Sequence, residues 1–118
     1  MKNLFFITAA IFVIAAVFQL TKFKNIMQQK TSKVNVWDTY VTKKDGQVMH
    51  FDILAPVAIK DTETIYKYGK EYLKTKGQEG QALSAKQCRL CHIETLRPAW
   101  EQDIAQKGYF IIEMEGCD

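Results

Sequence analysis

The sequence predicts an α+β fold, with a small, mostly antiparallel sheet, two packed helices and a preceding N-terminal hydrophobic helix. Three observations predict it. Several segments alternate apolar and polar residues with the period of a half-buried strand, and two others place apolar residues at helical spacing. An Asp-Gly pair between the first two strand segments is a strong hairpin signal. Finally, 118 residues suffice for one domain at most. The predicted element order is β-β-α-(β)-α-β.

The first two strands are predicted on either side of Asp45-Gly46. Residues 34–42 are rich in β-branched and aromatic side chains, which favour extended structure. Residues 47–56 alternate apolar and polar side chains and end at Pro56. The two segments therefore form an antiparallel hairpin.

The length of the hairpin turn determines which side chains share a face of the sheet. A two-residue turn would pair Thr39 with Asp52 and place His50 and Asp52 on the same face as Trp37, with Asp38 one strand over. A histidine near carboxylates can support acid–base chemistry. A half-exposed histidine that only forms hydrogen bonds is the simpler interpretation.

Two helices are predicted from their end signals and apolar spacing. The first covers residues 62–76, with Asp61 or Thr62 as its N-cap and Gly77 at its end. Its apolar stripe consists of Ile65, Tyr68, Gly69, Tyr72 and Leu73. The second helix begins at Pro98 and ends at Gly108.

The last two strand predictions differ in the strength of their patterns. Residues 78–96 fit either a strand that enters a turn or a short helix capped by Ser84, and the strand is preferred. Residues 108–116 predict a final strand with Phe110, Ile112 and Met114 on one face.

The N-terminal segment predicts a membrane anchor. Residues 4–20 contain only two polar residues, and as a helix they would span about 26 Å. More lysines follow this segment than precede it, which predicts an inner-membrane protein with a cytoplasmic domain. A cleavable signal peptide and translation from Met27, which would give a cytoplasmic protein, are the alternatives. The predicted organisation is a hydrophobic segment at 1–26, a linker at 27–33 and a domain at 34–118.

The charge of the predicted domain argues against nucleic-acid binding. Lys2, Lys22 and Lys24 precede Met27, which leaves 13 of the 16 basic residues against 13 acidic ones. Proteins that bind nucleic acids usually carry a strongly basic face. The net charge of +3 therefore belongs to the N-terminal end.

The cysteines are the clearest candidates for a metal site. Cys88 and Cys91 have the spacing of a zinc knuckle, Cys117 could add a third thiolate, and His50 or His92 could complete a tetrahedral site. A structural zinc in a non-catalytic domain is therefore the leading hypothesis.

Three other interpretations of Cys88 and Cys91 stay open. With His92 they match the Cys-x-x-Cys-His pattern that attaches haem c, although a cytoplasmic, β-rich domain disfavours it. They could instead form an exchangeable dithiol. The plainest alternative is that the cysteines only fill space in the core.

Three separated motifs carry a family resemblance: VWDTYVTKKDGQVMHFDIL, QCRLCHIE and GYFIIEMEGC. Over residues 34–117 the chain resembles the bacterial family known as domain of unknown function number two thousand and twenty-four. The resemblance implies a small α+β fold with no assigned activity, and the family pattern lacks the first 26 residues of this chain. It also implies that certain residues occupy motif positions, namely Asp38, Tyr40, His50, Asp52, Cys88, Cys91, His92 and Cys117.

Overall fold

The computed structural model describes residues 10–22 and 32–118, which belong to two separate units of the chain. Residues 10–22 form helix α1. Among the described residues, no helix is both long and apolar enough to cross a membrane. The prediction of an inner-membrane protein with a cytoplasmic domain is therefore wrong. Residues 4–9 of the predicted span and the alternative start at Met27 lie outside the described residues.

Four antiparallel strands form the sheet of the second unit. They are β1 (Lys33–Thr42), β2 (Val48–Pro56), β3 (Cys88–Thr95) and β4 (Phe110–Glu115). Helix α2 (Thr62–Thr75) follows β2 in the chain, and helix α3 (Pro98–Lys107) follows β3. The spatial order is β3-β1-β2-β4, so the first hairpin is central and β3 and β4 are the edges. The predicted α+β class and element order are confirmed.

The hairpin turn is one residue longer than predicted. Lys43 N donates to Gln47 O at 2.7 Å, and Gly46 N donates to Lys43 O at 3.0 Å. Gly46 has a φ of +90°, which is typical of the left-handed residue that ends a three-residue hairpin loop. Because of this extra residue, Trp37 pairs with Ile53, and Asp38 pairs with Asp52.

This register reverses the predicted faces of the hairpin. Tyr40 pairs directly with His50, and Asp38 with Asp52, so these four side chains share one face. Trp37 lies on the other face, among the residues that pack against α2. A shift of one residue moves every side chain of a strand to the opposite face of the sheet. The prediction that His50 and Asp52 share a face with Trp37 is therefore wrong.

Helix α2 covers the face of the sheet that carries Trp37. The Asp61 side chain accepts a hydrogen bond from Glu63 N and caps the helix, and Gly77, with a φ of +71°, follows its end. The predicted apolar stripe faces the core. The cluster that it forms with the sheet includes Trp37, Val41, Met49, Phe51, Ile53, Ile65, Tyr72 and Leu73. This cluster is the larger of the two that the described residues form.

Helix α3 covers only part of the opposite face. It starts with Pro98 and ends before Gly108, whose φ is +93°, as the end signals predict. Trp100 packs with Val34, Val36 and Leu54 in the second cluster. The remainder of this face, farther along β1 and β2, stays open, and we call it the open face. It carries the side chains of Asp38, Tyr40, His50 and Asp52.

Candidate metal site on the open face

Three potential metal ligands meet on the open face. One ligand atom from each of Asp38, His50 and Asp52 lies within 4.8 Å of the others. His50 Nε2 is 2.6 Å from Asp38 Oδ1. All three side chains are partly buried, so they are held in place and still reach solvent. We call these residues the Asp-His-Asp cluster.

The backbone of the central hairpin sets the geometry of this cluster. Asp38 and Asp52 are direct partners across β1 and β2, which puts their Cβ atoms about 5 Å apart. Tyr40 stacks on the His50 imidazole, with ring centroids 4.1 Å apart and planes inclined by 10°. On the far side of β2, Cys117 Sγ donates to the His50 carbonyl at 3.3 Å. The position of His50 is therefore fixed both at its ring and at its backbone.

The two carboxylates of the cluster repel each other. Burial raises the pKa of Asp52 above its ordinary value near 3.8, and Asp38 raises it further through a hydrogen bond and its negative charge. Positive charge on His50 and on His92 acts in the opposite direction. A cation at this position would relieve the repulsion.

The predicted cysteine ligands do not meet. Cys88 is 2% exposed and lies in the larger core cluster. Cys91 is exposed and sits at a bulge, where Val36 pairs with His92 and Trp37 pairs with Leu90. Cys117 is buried just after the opposite edge strand, β4. Within the described part of the chain, only the Asp-His-Asp cluster brings together three or more potential ligands.

The two predicted histidines have different surroundings. His92 Nε2 lies 2.8 Å from Glu94 Oε1 on β3, and the His92 side chain is about half exposed. His50 joins two carboxylates that were not predicted as metal ligands. Sequence reasoning placed Asp38 and Asp52 near His50, but the two-residue turn would not have made the two aspartates direct partners.

The positions of the thiols also bear on the haem and dithiol hypotheses. Attachment of haem c needs both thiols of the motif to reach one vinyl-bearing ring beside His92. Cys88 is enclosed in the core, and burial raises the pKa of its thiol. A reactive dithiol needs accessible thiols with depressed pKa values. The geometry therefore favours neither hypothesis.

We expect the three cysteines to differ strongly in reactivity. Cys91 should react with iodoacetamide at least about 100-fold faster than Cys88 and Cys117, because buried thiols react only when the structure opens. Pulsed alkylation of the native chain, followed by peptide mass spectrometry, measures all three rates at once. Equal labelling of Cys88 and Cys91, or a reversible disulfide between them in redox buffers, would instead support the dithiol.

Comparisons with known proteins agree with the motif resemblance. The model of the family described as domain of unknown function (DUF2024) matches residues 32–114. The NMR structure of protein NE1680 from Nitrosomonas europaea, a structural-genomics target, shares 40% sequence identity and superposes with a TM-score of 0.63. The alignment covers 73% of this chain and 99% of that one. No curated protein matches the chain. The chain therefore belongs to the DUF2024 family.

Proposed function

We propose that this domain binds a divalent metal ion through Asp38, His50 and Asp52. The observation that carries the proposal is the convergence of three ligand atoms within 4.8 Å on two directly paired strands. Convergence of this kind places two negative charges side by side, which is unfavourable unless a positive charge lies between them. A divalent ion supplies that charge.

The chemistry of the ligands indicates which ions fit. Two carboxylates and one imidazole suit ions such as Mn²⁺, Fe²⁺ and Zn²⁺, whereas structural zinc sites are usually richer in thiolates. Three protein ligands leave coordination positions for water or for another molecule. The partial exposure of the cluster gives such molecules access.

The proposed site differs in role from the predicted structural zinc. A zinc ion held by Cys88, Cys91, Cys117 and a histidine would tie distant segments together and support the fold. The Asp-His-Asp cluster lies on a hairpin whose other face is already packed against α2. The metal should therefore add stability when it binds, but the domain should fold without it.

Metal titration of the full-length, chelator-treated chain tests the proposal. Mn²⁺ should broaden the NMR signals of His50 and of its neighbours on the open face most strongly, and the broadening should weaken with distance from the cluster. His50→Gln should weaken binding at least about tenfold, since loss of even an outer-shell partner has an effect of that size. His92→Gln is the matched control and should bind normally.

Two results would count against the proposal. If saturating Mn²⁺ or Zn²⁺ leaves the spectrum and the melting temperature unchanged, the cluster is a hydrogen-bonded group without metal. If zinc binds but is lost in Cys88→Ala and His92→Gln and kept in His50→Gln, the metal sits at the Cys-x-x-Cys-His motif instead.

A further inference from the structure

Strand β3 brings a cationic residue to the Asp-His-Asp cluster. Arg89 pairs directly with Asp38 across β3 and β1. Directly paired residues of an antiparallel ladder share a face of the sheet, so Arg89 belongs to the open face. Asp38 thus has Asp52 on one side and Arg89 on the other.

The bulge at Cys91 brings a second residue to the same face. His92 pairs with Val36, whose side chain packs with Trp100 on the side of α3. The extra residue of a bulge changes which side chains of a strand point to each face. Arg89 and His92 are three positions apart, and in a regular strand they would point to opposite faces of the sheet. Because of the bulge, both point to the sheet face that carries the Asp-His-Asp cluster. The influence of His92 on the pKa of Asp52 agrees with this placement.

Positive and negative charges are unevenly distributed around the cluster once a metal ion is bound. The carboxylates of Asp38 and Asp52 balance the two charges of a divalent ion. His92 already has Glu94 as a partner, at 2.8 Å. Arg89 is exposed and forms no ion pair with any residue that the structure describes. Glu115, which pairs with His50, adds a carboxylate on the β4 side of the cluster. The β3 side of the metal-loaded site would therefore carry the positive charge of Arg89.

We propose that the metal-loaded site binds a small molecule through a carboxylate or phosphate group, which the metal ion and the Arg89 guanidinium hold together. This inference rests on the proposed metal function. A guanidinium presents paired N–H donors that match the oxygens of either group. The open positions of a three-ligand metal would accept an oxygen of the same group. In this proposal, the Cys-x-x-Cys-His segment serves to place Arg89, and its thiols bind no metal.

The inference is tested by titrating anions into the metal-loaded, full-length chain. Inorganic phosphate and succinate serve as probes for the two kinds of oxyanion, and isothermal calorimetry with Mn²⁺-loaded protein gives their affinities. Arg89→Gln should weaken binding of the preferred anion at least about tenfold, because a charge-assisted hydrogen bond is lost. Its affinity for Mn²⁺ should stay the same or increase slightly, because a nearby positive charge is removed.

A matched variant separates this effect from a general change in charge. Lys67 is exposed on α2, on the other side of the sheet, and Lys67→Gln should leave both affinities unchanged. Tighter binding of phosphate than of succinate would assign the ligand to phosphorylated compounds, and the reverse would assign it to carboxylic acids.

The failures of the two proposals can be told apart. Normal Mn²⁺ binding with equal anion affinity in wild type and Arg89→Gln would overturn the anion site alone. The anion site would also be overturned if neither anion binds the loaded protein. Absence of Mn²⁺ binding in the wild type would overturn the metal site and the anion site together.

Discussion

Replacing Asp52 by asparagine should stabilise the metal-free domain and abolish the stabilisation that a divalent ion provides. The substitution removes one of two adjacent carboxylates, and the asparagine amide can donate a hydrogen bond to Asp38. The gain in the free energy of unfolding at neutral pH should be below about 1 kcal/mol, because the site is partly exposed and solvent screens the repulsion.

The expected effect of Asp52→Asn on the stability of the metal-bound domain is larger than its effect on the metal-free domain. In the wild type, free metal at about 100 times its dissociation constant should add about 2.7 kcal/mol to the free energy of unfolding. Asp52→Asn loses one ligand of three and should lose most of that increment. Asp52 should therefore destabilise the metal-free domain and stabilise the metal-bound domain.

The pH dependence of the Asp52→Asn effect follows from the raised pKa of Asp52. Above that pKa the carboxylate is ionised in both the folded and the unfolded chain, so the penalty in the wild type is fully present. As pH falls through the raised pKa toward 3.8, the folded state takes up a proton first and the penalty disappears. The stability advantage of the metal-free variant should therefore shrink in mildly acidic solution.

Urea denaturation of both proteins, with chelator and with Mn²⁺, at neutral and acidic pH, measures these effects. Asp45→Asn, in the hairpin loop, is a control with the same chemical change away from the cluster. If the metal-free variant is less stable than the wild type at neutral pH, Asp52 makes a favourable interaction that outweighs its repulsion from Asp38.

Replacing Gly116 by alanine should destabilise the domain by about 3 kcal/mol, because the cost of backbone strain adds to that of a steric collision. Gly116 has a φ of +68°, a conformation that costs a residue with a Cβ atom about 1–2 kcal/mol. A Cβ atom here would also collide with the backbone carbonyl oxygen of Val48. That oxygen belongs to the first residue of the central strand β2 and cannot move aside as a flexible side chain could.

Gly46→Ala is the matched control for this substitution. Gly46 also has a positive φ, of +90°, but a Cβ atom there would meet nothing within 4 Å. This variant should lose only the conformational part, about 1–2 kcal/mol. Chemical denaturation of the three proteins compares the two losses. Equal losses would mean that the chain after β4 moves freely enough to avoid Val48.

The elements that could be predicted are those whose ends are determined by residues close by in the sequence. Helix α2 begins after Asp61 and ends before Gly77, and α3 begins at Pro98, because capping and backbone preferences act within a few residues. These features needed no knowledge of the rest of the chain.

The sheet face to which each side chain of the hairpin points could not be predicted from local sequence. An Asp-Gly pair suits both a two-residue turn and a three-residue loop in which glycine takes the left-handed conformation. The observed loop hydrogen bonds through Lys43 and Gln47 select the longer form. A difference of one residue then decided whether Asp52 lies beside Asp38 or on the side of Trp37.

The geometry of the Cys-x-x-Cys-His motif was likewise set by distant partners. In a knuckle, this spacing turns both thiols toward one ion. Here β1 draws the segment into an extended edge strand, which buries Cys88 and leaves Cys91 exposed at a bulge. The choice between turn and strand depends on pairing with residues of β1, which lie far earlier in the chain.

The position of α3 has a consequence for how such a small domain can offer a binding surface. Helix α3 joins the end of β3 to the start of β4, which both lie at the Val34 end of the sheet, whereas the nine residues of β2 extend about 30 Å along the sheet. Roughly half of the sheet face is therefore left without a helical cover, and the ionisable residues occupy that half. A protein with too few residues to enclose a deep cleft can still expose an ordered row of ligating groups.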